Sequence, residues 1–129
     1  MRQARRADSD RNAPYSTAVR CGDLLFLSGL VAEDPQTGQP ILGDIHEQSR
    51  AVFGRAASLL ALYGSSLRSV LRTEVYLTDL SDCDGMNDVF REVFPTHPPT
   101  RHTVEVSALH AGVKIEVVLV ATTDAAAQG

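Results

Sequence analysis

The residues most able to do chemistry lie in the last quarter of the chain. Arg101 stands at the start of one strand-like segment, and Glu116 stands inside another, between Ile115 and Val117. A guanidinium is a planar fork of donors that binds a carboxylate through two hydrogen bonds. A carboxylate within an apolar run is costly to desolvate, so it is either paired or used. Together the two residues predict a small pocket for a carboxylate-bearing substrate, with an acid or base beside it.

Both residues also have a structural interpretation. An arginine taken alone more often forms a surface ion pair, and Glu116 could pair with Lys114 or Arg72 across the sheet. Spacing alone leaves these alternatives open.

Other catalytic classes find little support in the residue spacing. The histidines and cysteines, which include His97, His102, His110, Cys21 and Cys83, match no common metal or redox motif. We therefore predict no metal site, and the two isolated cysteines favour a reducing, cytoplasmic setting. Ser28 has no paired base and no nucleophile-elbow motif, which argues against a serine hydrolase.

Length and composition are those of one ordinary domain. The chain has 129 residues, with 43% hydrophobic and 22% charged residues and a net charge of −4. That charge argues against a nucleic-acid partner, and no apolar run is long enough for a membrane span or a secretory signal. We predict a disordered arm at residues 1–12, which is arginine-rich and could alternatively be a basic docking tail. The domain is expected over residues 13–124 and a disordered tail over residues 125–129.

The elements that must position these residues are five strands and two helices. Strands are predicted by alternation and apolar runs at residues 15–20, 24–30, 71–77, 100–106 and 114–122. Asp44, with Glu47 three residues on, is typical of a helix N-cap, and Gly64 ends that helix. Ser81 is expected to cap the second helix, which Pro95 ends. The helices' apolar stripes are Ile45, Ser49, Val52, Phe53, Ala56, Leu59, Leu60 and Tyr63, then Met86, Val89, Phe90, Val93 and Phe94.

The resulting order, β-β-α-β-α-β-β, predicts an α+β sandwich of one mixed sheet and two α-helices. Two helices can cover only one face of that sheet. In residues 24–27 and 115–121 the odd and the even positions are nevertheless both largely apolar, as in strands buried on both faces. Self-association is therefore expected to cover the second face.

The chain resembles the RidA family, the reactive-intermediate imine and enamine deaminases. The matching pieces are Ala13-Pro14-Tyr15-Ser16, Leu27-Ser28-Gly29, Asp34-Pro35-Gln36-Thr37-Gly38, Val75-Tyr76-Leu77-Thr78-Asp79-Leu80, Pro99-Thr100-Arg101, Val104-Glu105-Val106 with Leu109, and Val113-Lys114-Ile115-Glu116. Each piece alone is weak, but their order along the chain is specific. The resemblance implies a chorismate-mutase-like homotrimer with pockets between subunits. It also implies hydrolysis of 2-aminoacrylate-type acids to 2-oxo acids and ammonia, without a metal or organic cofactor.

Roles carried over by position agree with the chemistry inferred from the residues. Arg101 matches the family arginine that clamps the substrate carboxylate, and Glu116 matches the glutamate that holds or activates the attacking water. Tyr15, Ser28 and Gly29 match residues that line the pocket. Because an imine carbon is already electrophilic, catalysis needs little beyond orientation and a placed water.

Three positions depart from the family pattern. Thr103 replaces a frequent cysteine, so thiol chemistry is lost, although its backbone amide can still bind substrate. His102 replaces a small residue and by parity faces away from Arg101. Leu30 replaces a glutamine, which removes an amide from the expected edge of the pocket.

Two classes of function follow. The first is an enzyme acting on small 2-imino or 2-enamino acids, with a specialised aminomuconate-type or biosynthetic deaminase as a variant. The second is a non-enzymatic regulator that binds a 2-oxo acid or another small anion in the same pocket. The presence of Glu116 beside Arg101 favours the enzyme, since a carboxylate sensor needs only the arginine.

Overall fold

Two helices pack against each other and against one face of a mixed seven-stranded sheet. The computed structural model describes residues 13–123 in full and residues 2–5 as backbone. We call the sheet face beneath the helices the inner face and the opposite one the outer face. This architecture confirms the predicted α+β class.

The last strand of the chain occupies the middle of the sheet. The elements are β1 (Arg2–Arg5), β2 (Ala18–Cys21), β3 (Leu24–Leu27), β4 (Leu30–Val31), α1 (Ile45–Leu62), β5 (Val70–Leu77), α2 (Cys83–Val93), β6 (Thr100–Glu105) and β7 (Ile115–Thr122). The sheet order is β1-β2-β3-β7-β5-β6, with β4 also beside β7. Only β5 and β6 are parallel.

The N-terminal arm differs in part from its prediction. Residues 2–5, within the arm predicted as disordered, form β1, which pairs antiparallel with β2. An edge strand such as β2 offers unpaired backbone groups, which an extended segment can bind without an apolar pattern of its own. The rest of the arm and residues 124–129 lie outside the described residues.

The second predicted strand is interrupted by a bulge. Phe26 pairs with Val120, whereas Leu30 pairs with Val117, so four steps on one strand face three on β7. One extra residue is thus inserted near Gly29, at a position where bulges commonly re-aim neighbouring side chains. Ser28 fixes the bend, because its hydroxyl donates to the Ser16 carbonyl at 2.7 Å.

Aspartate side chains cap α1 and the short turn that precedes α2. Asp44 accepts a hydrogen bond from the Glu47 backbone, as predicted. The predicted Ser81 cap of α2 is wrong. A short 3₁₀ turn, Leu80–Asp82, precedes α2, and Asp79 caps this turn by accepting from the Ser81 backbone. The turn displaces the start of α2 to Cys83.

The core lies between the helices and the inner face. The Phe53 ring meets the Phe90 and Phe94 rings edge to face, with centroids 5.8 and 5.7 Å apart. Met86 and Val89 are fully buried beside them, which confirms the predicted stripe of α2.

The outer face keeps apolar side chains in contact with solvent. Phe26 is 43% exposed and Leu24 is 37% exposed. Their neighbours Val118 and Val120 are only half-buried, whereas Val117 and Leu119 on the inner face are buried. The predicted second apolar face is therefore present and uncovered in the single chain.

Candidate active site

Arg101 is held against α2 by neutral groups. Its guanidinium donates to the Asn87 side-chain oxygen at 2.6 Å and lies 3.6 Å from the Met86 sulfur. It also lies 4.8 Å from the centre of the Phe90 ring, in a cation–π arrangement. Within residues 13–123 no carboxylate pairs with Arg101. The side chain is thus oriented while its charge remains available to an anion.

Thr103 lies on the inner face with Arg101, two residues further along β6. Its hydroxyl oxygen is buried and has no hydrogen-bond partner among the described residues. His102 instead lies on the outer face, aligned with Glu74 of β5, so the prediction that it faces away from Arg101 is confirmed.

Glu116 lies on the outer face, against the bulge. A β-carbon added to Gly29 would come within 2.7 Å of the Glu116 carboxylate oxygen, so any other residue at position 29 would push this carboxylate from its present place. Glu116 forms no ion pair with any described residue, and Arg72 pairs with Glu74 instead, at 3.4 Å. The structural alternative of a Glu116 pair with Lys114 or Arg72 is therefore not what the chain forms.

A row of polar side chains on β5 borders Glu116 on the outer face. Tyr76 is the cross-strand partner of Glu116, and its hydroxyl donates to Glu74 at 2.5 Å. This hydrogen bond, helped by Arg72, lowers the pKa of the Glu74 carboxyl. The same bond raises the pKa of the Tyr76 phenol, so the phenol keeps its proton at neutral pH.

One chain does not bring Arg101 and Glu116 together. Arg101 aligns with Thr73, which aligns with Leu119, three residues from Glu116 on β7. The two residues are thus separated by about 10 Å along the strands and about 10 Å across two strand spacings. They also lie on opposite faces. A small substrate therefore cannot touch Arg101 and Glu116 of the same chain.

The remaining predicted residues differ in whether their side chains are exposed, already hydrogen-bonded or buried in the core. Tyr15 is 62% exposed, whereas the Ser28 hydroxyl is already donated to the backbone. Leu30 is 3% exposed and belongs to the core cluster, so the expectation that it lies at a pocket edge is wrong. The bulge near Gly29 turns Leu30 to the inner face.

Two neighbours of the predicted residues were missed from the sequence. Asn87 is polar and adjacent to the apolar stripe of α2, but only the parallel pairing of β5 and β6 places that helix over Arg101. Tyr76 lies in an alternating strand pattern in which aromatic residues are common, so the pattern did not mark it as part of a site. Its position beside Glu116 depends on the antiparallel register of β5 and β7.

A surface groove of about 690 Å³ lies elsewhere, between α1 and the loop of residues 33–41. It is lined by Glu33, Arg55 and Leu62 among others, and contains neither Arg101 nor Glu116. We place the candidate site at those two residues because the groove's charged pair, Arg55 with Glu33, is already mutually satisfied at 3.2 Å. Among residues 13–123 no three metal-binding side chains cluster, and no helix there has the length and hydropathy of a membrane span.

A mixed sheet with two helices on its inner face, an oriented arginine and a glutamate packed on a glycine bulge define a recognisable class of small α+β proteins. A protein-family model described as Endoribonuclease L-PSP matches residues 7–123. A RutC family protein of Pyrococcus horikoshii is 41% identical over 84% of this chain and 86% of its own length. Human 2-iminobutanoate/2-iminopropanoate deaminase is 31% identical over 84% of this chain and 79% of its own length.

The solved structures agree. RidA from the Antarctic bacterium Psychrobacter sp. has a TM-score of 0.82 and 32% identity, covering 92% of this chain and 93% of its own. The chain belongs to the RidA family, as the sequence motifs predicted.

Proposed function

We propose that this protein is a deaminase that hydrolyses small 2-imino and 2-enamino acids of the 2-aminoacrylate type to 2-oxo acids and ammonia. The observation that carries the proposal is that Arg101 and Glu116 each lack an oppositely charged partner within residues 13–123. The similarity to a human imine deaminase supports it. The description of the family model names an endoribonuclease, but a net charge of −4 does not favour an RNA substrate.

The reaction assigns a separate role to each charged residue. Arg101 binds the substrate carboxylate through its guanidinium fork, and the Thr103 amide is placed to add a donor. Glu116 accepts a proton from water as the water oxygen bonds to the imine carbon. The C=N electron pair moves to the nitrogen, which takes the proton back from Glu116 to give the aminoalcohol. The hydroxyl proton then passes to the nitrogen, the carbon–nitrogen bond breaks to release ammonia, and the carbon–oxygen double bond of the 2-oxo acid forms. An enamino acid enters this sequence after a proton shifts from its nitrogen to its β-carbon, which makes it the imine. Every atom of the products comes from substrate and water.

The proposed active form is a homotrimer with pockets between subunits. In one chain Arg101 and Glu116 lie on opposite faces and far apart along the sheet, so a shared pocket takes the arginine from one subunit and the glutamate from another. The exposed Tyr15 and the uncovered apolar outer face are available for such contacts. A closed ring of identical subunits buries this face without leaving a free edge.

Mixing two inactive variants tests the chemistry and the shared pocket together. Arg101→Ala and Glu116→Gln should each lose most ammonia and pyruvate release from freshly generated 2-aminoacrylate. Refolded as a mixture, they should regain about a quarter of wild-type activity, because one pocket in four receives both intact residues by chance.

Each outcome has a defined meaning. Mixtures no more active than the separate variants would overturn the shared pocket. A wild-type protein that binds 2-oxo acids but releases no ammonia would overturn the deaminase and favour the regulator. Full activity of Glu116→Gln would remove Glu116 from the reaction.

A further inference from the structure

The polar row on β5 has a composition that packing alone does not require. Tyr76, Glu74 and Arg72 alternate along the outer face, where Glu74 and Arg72 lie opposite valines of β7 and Tyr76 lies opposite Glu116. Tyr76 donates to Glu74, and Arg72 binds the other carboxylate oxygen of Glu74. The Glu74 charge is thereby fixed between two donors of its own strand.

This row ends directly beside the proposed water-activating carboxylate. Tyr76 pairs with Glu116 across an antiparallel ladder, where the β-carbons of paired residues lie about 5 Å apart. The bulge at Gly29 closes the opposite side of the same carboxylate. Glu116 therefore stands between an aromatic ring and a glycine, and the ring is itself tethered to Glu74.

We propose that Tyr76 is a positioning residue for Glu116. Its ring holds the carboxylate against Gly29, and its hydroxyl keeps the Glu74 charge directed away from Glu116. The inference rests on the proposed role of Glu116 in the reaction, but it concerns the ionisation of that residue and can be measured without turnover.

The charged groups around Glu116 determine the effect expected when the Tyr76 hydroxyl is removed. The titratable groups around it on the outer face of residues 13–123 are Tyr76, Glu74 and Arg72 on β5, His102 on β6 and Lys114, which directly precedes β7. Its partner on β4, Val31, adds none. If the Tyr76 hydroxyl is removed, Glu74 loses a donor and becomes free to turn towards Glu116. Two carboxylates that approach each other disfavour ionisation, so Glu116 should then titrate at a higher pH.

Carboxyl carbon NMR of the wild-type protein and three variants tests the proposal, with the Glu116 signal assigned through Glu116→Gln. In Tyr76→Phe the Glu116 titration midpoint should rise by about half a pH unit or more. Glu74→Gln should show no rise, because its amide oxygen still accepts from Tyr76 and the charge is gone. The double variant Tyr76→Phe/Glu74→Gln should return to the wild-type midpoint.

Activity measurements give a second readout. In Tyr76→Phe the acidic limb of the kcat profile should move with the Glu116 midpoint, and kcat should fall about fivefold while KM changes little. Tyr63→Phe removes a phenol near the end of α1 and serves as the control for the loss of a hydroxyl.

The outcomes separate this inference from the proposed function. A Tyr76→Phe midpoint equal to the wild-type value, or a double variant that stays shifted, would overturn the positioning role. If the midpoints move as stated but the wild-type protein releases no ammonia, the deaminase proposal fails and the role of Tyr76 in fixing the Glu116 carboxylate stands.

Discussion

Arg101 is set up for an anion by partners that do not neutralise it. The Asn87 side-chain oxygen accepts a hydrogen bond from the guanidinium, which also lies over the Phe90 ring. These contacts fix the orientation of the fork before a ligand arrives, which reduces the ordering that binding would otherwise require.

Substitution of Arg101 should therefore remove turnover without unfolding the chain. Arg101→Ala is expected to lower kcat/KM at least about thirtyfold, or about 2 kcal/mol. Arg101→Lys should also have a low kcat/KM, because one ammonium cannot replace a planar fork that hydrogen-bonds to Asn87 and to a carboxylate at the same time. Arg50→Ala, which breaks a surface pair with Glu92, is the matched control and should keep full activity. Near-normal activity of both Arg101 variants would contradict the carboxylate clamp.

Gly29 offers a change that should separate activity from stability. In Gly29→Ala the new methyl group would overlap the Glu116 carboxylate, whose flexible end can move aside at small energetic cost. We expect a clear loss of kcat with a melting temperature within a few degrees of wild type. Gly54→Ala is the control, since its methyl group meets nothing within 4 Å and should stabilise α1 by up to about 1 kcal/mol. Unchanged kcat in Gly29→Ala would show that the position of Glu116 is unimportant.

At the scale of elements, the 3₁₀ turn before α2 makes a pH-dependent contribution to stability. Hydrogen bonds from Ser81 lower the pKa of the Asp79 carboxyl below its value of about 3.9 in an unfolded chain. A group with a lowered folded pKa stabilises the fold above the unfolded pKa, and the effect disappears as pH falls through the folded pKa.

Asp79→Ala should thus lower the urea midpoint at pH 7, and its difference from wild type should shrink between about pH 4 and pH 2. Asp84→Ala removes the same charge in the first turn of α2 and should have a smaller effect. A difference between Asp79→Ala and wild type that persists undiminished at pH 2 would exclude the carboxylate as its cause.

Sequence patterns predicted the elements better than they predicted the contacts between them. Periodicity located both helices and the strands after residue 13, and Asp44 located the start of α1, because these signals are local. The bulge was not predictable, since it is a mismatch between residues 24–31 and a strand some ninety residues later. The pocket-edge expectation for Leu30 came from its alignment with a family glutamine, and the bulge instead turns Leu30 to the inner face. Arg101 and Glu116 could be proposed as site residues from the sequence, whereas the positions of Asn87 and Tyr76 beside them depend on sheet order.

At the scale of the whole molecule, the outer face should hold the subunits together. Val118 lies in the middle of this face, opposite Glu74, and is half-buried in one chain. Val118→Asp would place a carboxylate among apolar groups and near Glu74, which should prevent assembly and abolish activity although Arg101 and Glu116 are intact. Leu62→Asp changes an exposed leucine at the end of α1 and should leave assembly unaffected. Light scattering at low micromolar concentration measures both, and an active wild-type monomer of 13.9 kDa would contradict the trimer.

The position of β7 has a consequence for how the protein is made. Among the described strands β7 comes last along the chain, yet it joins β3 and β4 to β5 in the middle of the sheet. A nascent chain that ends before Ile115 holds two separate strand groups whose apolar edges have no partner. Contacts this distant in sequence are slow to form, and unpaired edges on incomplete chains invite aggregation. The sheet should therefore close only once β7 is available, and chains truncated before Ile115 should aggregate when they are expressed.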